Sequence, residues 1–495
     1  MSRLISNPYL YAFLAGATAV LGFAPFGIFP LPVLSLAVLF WQWSKAERPS
    51  QAAWLGFAFG MGLFCVGVSW IYVALHDYGY MHPILATLAT MLFAAVNASI
   101  PALAGYVQAR FKVAATLRIL WVMPAIWALA EWVRGFLFTG FPWLSVGYSQ
   151  IPNSPLAGYA PIVGVFGVSL LVAVSAALVL VIWGARWSRV GKVAFVGVAA
   201  LWLVGAALSL VEWTQPQGEP LKVSLLQGNI AQDTKFDEDA LIGTLETYRM
   251  LAETSDARLI VMPETAIPLL REYIPESYQA MLREHVRQSG GDVLIGAFER
   301  EDGRYYNSVY SLGASESQYY RKDHLVPFGE FIPLRSAFGW LINEVLQIPM
   351  GDQARGGANQ APLNVAGQKV AMNICYEDAF GEEIIHALPA ATLLVNVTND
   401  AWYGDSFAAE QHNQLSQMRA LETGRMMLRA TNTGVTSVIG VDGRVQAMLP
   451  QHKEGVLTAQ VRGYEGSTPY VRWGNVAMLM LAAVMLGIAW KSRDR

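Results

Sequence analysis

Charge is scarce in this 495-residue chain: 14% of residues are Asp, Glu, Lys or Arg, while 54% are hydrophobic. An ordinary soluble protein carries about 25% charged residues, so a wholly soluble globule is a poor reading. Cysteine is nearly absent. Cys65 and Cys375 are the only two, and one of them lies inside an apolar run, which excludes a disulfide framework. The seven histidines show no HExxH pair or other metal-ligand spacing, so no metal or other cofactor is expected. No G-x-S-x-G elbow or phosphate loop appears, and Gly60 and Gly62 follow no strand. Basic residues gather only in short connections, so no nucleic-acid partner is expected.

The charge that is present is unevenly placed. Residues 1–211 hold three acids, Glu47, Asp77 and Glu131, against ten Lys and Arg, whereas residues 212–473 hold 33 acids and 21 bases. The boundary near 212 therefore divides two materials. The first consists of apolar runs near 9–28, 30–44, 53–75, 84–107, 118–138, 162–184 and 193–211, with an eighth at 474–490. Crossing a hydrocarbon core of about 30 Å takes roughly 20 helical residues. The second run is the shortest, with Pro30 and Pro32 crowding its start. A cleaved signal peptide over 1–28 is the competing reading of the first run.

Basic residues between the runs alternate. Arg3, Lys45 and Arg48, Arg110 to Arg118, Arg186 to Lys192, and the tail after Lys491 fall in every second connection, while 76–83 and 139–161 contain no Lys or Arg. Eight spans place every cluster on one side, which the positive-inside bias makes cytoplasmic. Both termini then lie inside, and residues 212–473 lie outside. Gly56 and Gly60 suit close helix packing. Glu131 and Arg134, three apart within one span, read either as a functional ion pair or as a strut.

Residues 220–465 alternate β-rich and amphipathic stretches. Strands are expected at 222–230, 258–267, 292–301, around 316–321, and at 369–377, 392–400 and 435–443. Several are continuous apolar runs, as in strands buried on both faces. Helices are expected at 238–256, 275–289 and 407–427. The fold class is thus a polytopic α-helical membrane domain (seven spans in 1–211, an eighth in 474–495) plus an α/β domain over 212–473.

Ligands in α/β sheets bind beyond the carboxyl ends of strands, and three reactive residues fall there. Glu264 ends "RLIVMPE", Lys322 follows the strand near 316–321, and Cys375 ends "KVAMNIC". A carboxylate can take a thiol's proton, and an ammonium can stabilise the thiolate and a following oxyanion. Each also has a plain reading: a buried thiol as a small hydrophobe, a helix-capping Glu, a Lys in a surface pair with Asp323. A Cys–His pair using His324 or His412 is a further alternative.

The surrounding segments, "LLQGNI" (225–230), "PETAIP" (263–268), "YRKDHLVPFGEFIPL" (320–334), "NICYED" (373–378) and "NVTNDAWYG" (396–404), resemble the nitrilase superfamily. They are most similar to its membrane-integrated branch, the apolipoprotein N-acyltransferases, and they appear in that family's order. The resemblance covers essentially the whole chain and implies an α-β-β-α sandwich for the external domain. It implies Glu264 as general base, Lys322 as stabiliser of the tetrahedral intermediate and Cys375 as nucleophile, with Glu330, Tyr376 and Glu377 in supporting roles. Phe236 stands where the family often has Trp.

What the resemblance implies about function follows. The expected activity is transfer of an acyl chain from a phospholipid, with phosphatidylethanolamine the expected donor, through a thioester on Cys375. The acceptor is the α-amino group of a diacylglyceryl-cysteine at an apolipoprotein's N-terminus. The expected setting is the bacterial inner membrane with the catalytic domain periplasmic, the protein acting as a monomer. The alternatives are a membrane-tethered nitrilase-type amide hydrolase and a transporter or receptor. Transport would call for more ionisable residues within the spans than Glu131 and Arg134.

Overall fold

The computed structural model describes residues 7–185, 188–235, 237–332 and 352–492. The chain divides into two compact units. One comprises 1–72, 82–212 and 472–495, and the other 73–81 and 213–471.

The first unit is helical. Among the described residues five helices are long and apolar enough to cross a membrane: Pro49–Gly67, Pro83–Ala109, Ala115–Arg134, Pro155–Ala185 and Arg189–Leu208. Shorter apolar helices cover Pro8–Gly22 and Val476–Lys491. Pro30–Lys45 has 16 residues, about 24 Å at 1.5 Å per residue. The prolines that crowd the sequence open these helices: Pro8, Pro30, Pro49 and Pro83 sit in the first turn, where a missing N–H costs nothing.

Glycine lets the helices approach. A Cβ on Gly62 would stand 1.9 Å from the Phe13 carbonyl oxygen, and one on Gly56 would stand 2.2 Å from that of Pro101. The expected packing role of Gly56 and Gly60 is met, against Pro83–Ala109. Glu131 and Arg134 are both buried and both grip the segment 141–147. The Val146 N–H donates to the two Glu131 oxygens at 3.0 and 3.2 Å. Arg134 donates to the carbonyls of Phe141 and Trp143 and to Ser145 Oγ. Their partners are those of a strut.

Among the described residues the second unit holds two six-stranded sheets. The first has the order β12-β1-β2-β3-β4-β5 and the second β11-β10-β9-β8-β7-β6. The strands are β1 (Thr214–Gln227), β2 (Leu259–Val261), β3 (Asp292–Glu301), β4 (Arg304–Gly313), β5 (Tyr319–Arg321), β6 (Leu363–Val365), β7 (Gln368–Ile374), β8 (Leu393–Thr398), β9 (Met427–Thr431), β10 (Ser437–Ile439), β11 (Val445–Met448) and β12 (Gly455–Gly466). Each sheet has a parallel three-strand centre, β1-β2-β3 or β7-β8-β9, flanked by antiparallel strands.

The central strands are the apolar runs "LIV", "VLIGA" and "LLVNV", buried throughout, as parallel strands covered on both faces must be. Helices Glu238–Glu253 and Glu276–Gln288 lay Tyr248, Leu251, Leu282 and Val286 on Leu226, Ile260 and Ile295 of the first sheet. Helix Ala408–Thr423 sets Ala420 against Leu394 and Met427 of the second. Hydrogen bonds such as Asn229 N–H to the Asn432 carbonyl join the sheets' ends. The layering is helix, sheet, sheet, helix.

One expected helix is shorter than its sequence suggested. "GRMMLRA" reads as a basic helix end, yet the helix stops at Thr423 on Gly424, whose φ is +63°. A Cβ there would press on the Thr214 side chain at 2.6 Å, so glycine ends the helix and frees residues 427–431 for β9. The strand expected at 435–443 shortens to β10.

Candidate active site

The carboxyl ends of both parallel centres turn toward one another. After β1, Asn229 N–H and Ile230 N–H bond the backbone carbonyl and side chain of Asn432, which follows β9. Asn432 Nδ2 donates to Asn399 Oδ1 at 3.1 Å, and Asn399 Nδ2 to Gln232 Oε1 at 2.7 Å. Asparagines, each with donor and acceptor, thus lace the strand-end loops into a floor.

Cys375 stands one residue beyond β7 with φ +56°, an uncommon backbone for a non-glycine residue, and opens the turn Cys375–Ala379. Its carbonyl accepts from Asn396 Nδ2 at 3.0 Å and lies 3.2 Å from His412 Nε2. The residue is buried. Burial pushes the thiol well up, the nearby Glu264 charge adds to this, and Lys322 opposes it.

Glu264 lies in the turn after β2. Its Oε1 accepts from Asn307 Nδ2 at 2.7 Å and its Oε2 from the Asn399 N–H at 2.9 Å. Lys322 follows β5 directly, and its backbone N–H is held by the Asn307 carbonyl at 2.8 Å. Its Nζ sits 2.7 Å from Glu330 Oε1 and 3.6 Å from Glu264 Oε1. Burial works against the ammonium, but Glu330, Glu264 and Cys375 outweigh it and hold the pKa well above the usual lysine range. Asn307, on the missed strand β4, grips both Glu264 and Lys322.

Glu377 ties two loops together. It accepts from the N–H groups of Ile374 (2.6 Å), Asp323 (2.7 Å) and His324 (3.1 Å) and from the Tyr320 hydroxyl (3.0 Å). The Lys322 loop is thereby stapled to the Cys375 turn. Burial lifts its carboxyl to about 7 against those donors. Glu330 bonds Lys322 with one oxygen and the Val326 N–H with the other, at 2.8 Å. Tyr376 lies edge-on to Phe380 and His324 at 5.0 and 5.9 Å. Phe236 lies outside the described residues.

The histidines are engaged elsewhere. His324 Nδ1 contacts Glu383 at 2.8 Å and the ring stacks on Phe380. His412 lies between Asp378 (3.0 Å) and Asp400 (2.7 Å). Arg429 bridges the same two carboxylates and Asn396. Burial and Arg429 oppose charge on His412, yet the carboxylates raise it to about 9, so it is an imidazolium at neutral pH and no proton acceptor.

Sequence reasoning missed Asn307, Lys235 and the cluster that Asp378, Asp400 and Arg429 form around His412, which it weighed only as a partner for Cys375. The signals were present: Asn399 and Asp400 lie within "NVTNDAWYG" and Lys235 beside Phe236. The arrangement can activate a thiol, stabilise a negative oxygen and pass a proton to a leaving group, which is acyl-transfer chemistry.

Comparison with known proteins agrees with this chemistry. Residues 15–178 match the apolipoprotein N-acyltransferase N-terminal domain, and residues 222–470 match the carbon-nitrogen hydrolase family. A relative from Nitrosomonas europaea, named apolipoprotein N-acyltransferase, is 53% identical over 96% of this chain and 95% of its own. One of the same name from Methylococcus capsulatus is 45% identical over 98% and 96%. A solved CN-hydrolase superfamily protein from Xanthomonas campestris aligns with 18% identity and a TM-score of 0.36 over 55% of this chain and 97% of its own, too distant to add to the reading. The apolar helices and these relatives mark a membrane protein.

Proposed function

The chain belongs to the apolipoprotein N-acyltransferase family, and on that premise we propose that it moves an acyl chain from a phospholipid to a lipoprotein's N-terminal amine through a thioester on Cys375. The observation that carries the reading is the convergence of Glu264, Lys322 and Cys375 at the ends of β2, β5 and β7, in a chain rich in membrane-length apolar helices.

Glu264 takes the proton of the Cys375 thiol, and the thiolate attacks the carbonyl carbon of the sn-1 ester. The carbonyl electrons move to oxygen, where Lys322 stabilises the negative charge. Collapse expels the glycerol oxygen, which takes the proton from Glu264 and leaves as lysophospholipid. The α-amine of the diacylglyceryl-cysteine then attacks the thioester and gives its proton to Glu264. Collapse releases the amide, and the proton returns to the thiolate. Glu330 and Glu377 orient Lys322 and its loop, Tyr376 lines the nucleophile's flank, and Phe236 supplies an apolar contact for lipid.

The membrane part has a physical purpose in this scheme. Drawing an acyl chain into water costs about 0.8 kcal/mol per CH₂, so the donor is best taken laterally from the bilayer. Eight spans, both termini in the cytoplasm and the catalytic unit in the periplasm fit the alternation of basic connections. The donor is phosphatidylethanolamine and the enzyme a monomer of the inner membrane.

The test uses detergent-solubilised full-length protein and phospholipid labelled in its sn-1 chain. Wild type should acquire label that hydroxylamine releases, and Cys375→Ala should acquire none. Label on Cys375→Ala, or none on wild type, overturns the thioester. Subsequent transfer to a lipopeptide with a free α-amine distinguishes a transferase from a hydrolase.

A further inference from the structure

Lys235, in "QDTKFDED" after β1, is 2% exposed. Its Nζ donates to Thr265 Oγ1 at 2.7 Å and to the Glu264 backbone carbonyl at 3.3 Å. Among the described residues no carboxylate oxygen lies within ion-pair distance of it. Lys322 is different, being paired with Glu330 and Glu264. An ammonium removed from water without a counter-ion is strongly disfavoured, so its retention calls for a use.

The groups it grips suggest that use. Thr265 has φ +45°, and a β-branched residue there is a genuine outlier that persists only where its surroundings hold it. β3 holds the turn from beneath: a Cβ on Gly296 would meet the Pro263 carbonyl oxygen at 2.1 Å and Thr265 N at 2.7 Å. Lys235 holds it from the side, spanning the strained residue and the one before it. Only with the turn fixed does the Glu264 carboxylate meet Asn307, Asn399 and Lys322 together.

We propose that Lys235 is a positioning residue for Glu264: its ammonium clamps the Glu264 carbonyl and the Thr265 hydroxyl, fixing the strained turn that presents the carboxylate to Cys375. The inference rests on the reading of Glu264 as the base. Burial draws the Lys235 ammonium down to about 8 although Glu264 and Cys375 both favour its charge, in keeping with a cation kept for its geometry rather than for an ion pair.

The experiment measures single-turnover thioester formation on the solubilised full chain, per folded molecule. Displacing a reacting group by 1 Å can cost about a hundredfold. Lys235→Met should slow the acylation rate at saturating phospholipid at least about tenfold while KM shifts less than about threefold. In a Thr265→Gly background, where the strain and one partner are gone, the same substitution should cost clearly less. Equal losses in both backgrounds, or a wild-type rate for Lys235→Met, overturn the proposal.

If Lys235→Met does not fold, Thr265→Val and Thr265→Ser decide. Val removes the accepting hydroxyl and should slow acylation, whereas Ser keeps it and should restore the rate. Equal rates for the two overturn the clamp. Absence of any thioester on wild type instead overturns the reading of the site, which keeps the two failures distinct.

Discussion

Two buried acid–base clusters do opposite work in this protein. In the helical unit, Glu131 and Arg134 hold the backbone and one hydroxyl of residues 141–147, and Glu131 also accepts from the Ser169 side chain. In the α/β unit, Glu264 and Lys322 face each other, Glu330 and a nearby thiol. Charges that meet fixed backbone dipoles brace a fold. Charges that meet other titratable side chains at strand ends can move protons. Burial and charge alone do not separate strut from site; the identity of the partners does.

The sharpest way to break this comparison is to neutralise one carboxylate in each cluster while nearly preserving its shape. Glu264→Gln removes the proton acceptor yet keeps an oxygen and an amide. Thioester formation should fall by at least about 10³-fold, in the range that general-base loss commands, with the folded fraction little changed. Glu131→Gln should leave the rate per folded molecule within about threefold and lower the unfolding temperature. Labelled-phospholipid acylation and thermal unfolding on the same preparations check both. A rate collapse in Glu131→Gln would make the strut a functional pair.

Arg134→Met tests the strut from its other side. It would leave the carbonyls of Phe141 and Trp143 and the Ser145 hydroxyl short of a donor and remove a positive charge near Glu131. Breaking a buried ionic group in this way costs about 3–5 kcal/mol. A large drop in unfolding temperature is expected, with acylation by the surviving folded molecules retained.

The residues proposed for the chemistry, Glu264, Lys322 and Cys375, drew notice in the sequence because each follows an apolar or β-rich run, and both sheet centres are built from such runs. Strand β3 lies where its sequence suggested, from Asp292 to Glu301. Strands β4 and β12 were not legible: "RYYNSVYSLG" and "GVLTAQVRGYEG" mix polar and apolar residues, and they pair as antiparallel flanks beside the centres. Strand β9, Met427–Thr431, starts at the last residue of the helix expected over 407–427 and was not read as a strand, because Arg425 and Arg429 look like helix-end charges. They are buried instead, Arg425 on the carbonyls of Ala391 and Gly466 and Arg429 on two aspartates. A sequence shows that a charge exists but not what faces it. What Lys235 faces was hidden for that reason, since its partners Glu264 and Thr265 lie about thirty positions away.

The cluster of His412, Asp378, Asp400 and Arg429 sharpens the comparison most finely, because it stands between strut and site. Like the strut, it meets a backbone group, the Cys375 carbonyl; like the site, it contains an ionisable group with a displaced pKa. His412 in the fold titrates near 9, above its ordinary 6.5. A raised pKa means that its stabilisation is complete below about 6.5 and is lost as pH rises through about 9. The amount is at most about 3 kcal/mol at 1.36 kcal/mol per unit. Lys235 pulls the other way: its pKa is lowered to about 8, so above that pH it adds stability as the ammonium discharges. Wild type and His412→Asn should therefore be compared at each pH, which cancels the lysine. The gap between their unfolding temperatures should be widest near pH 6 and close toward pH 9. A gap that does not change with pH would mean that His412 acts by packing alone, and the cluster would then be one more strut.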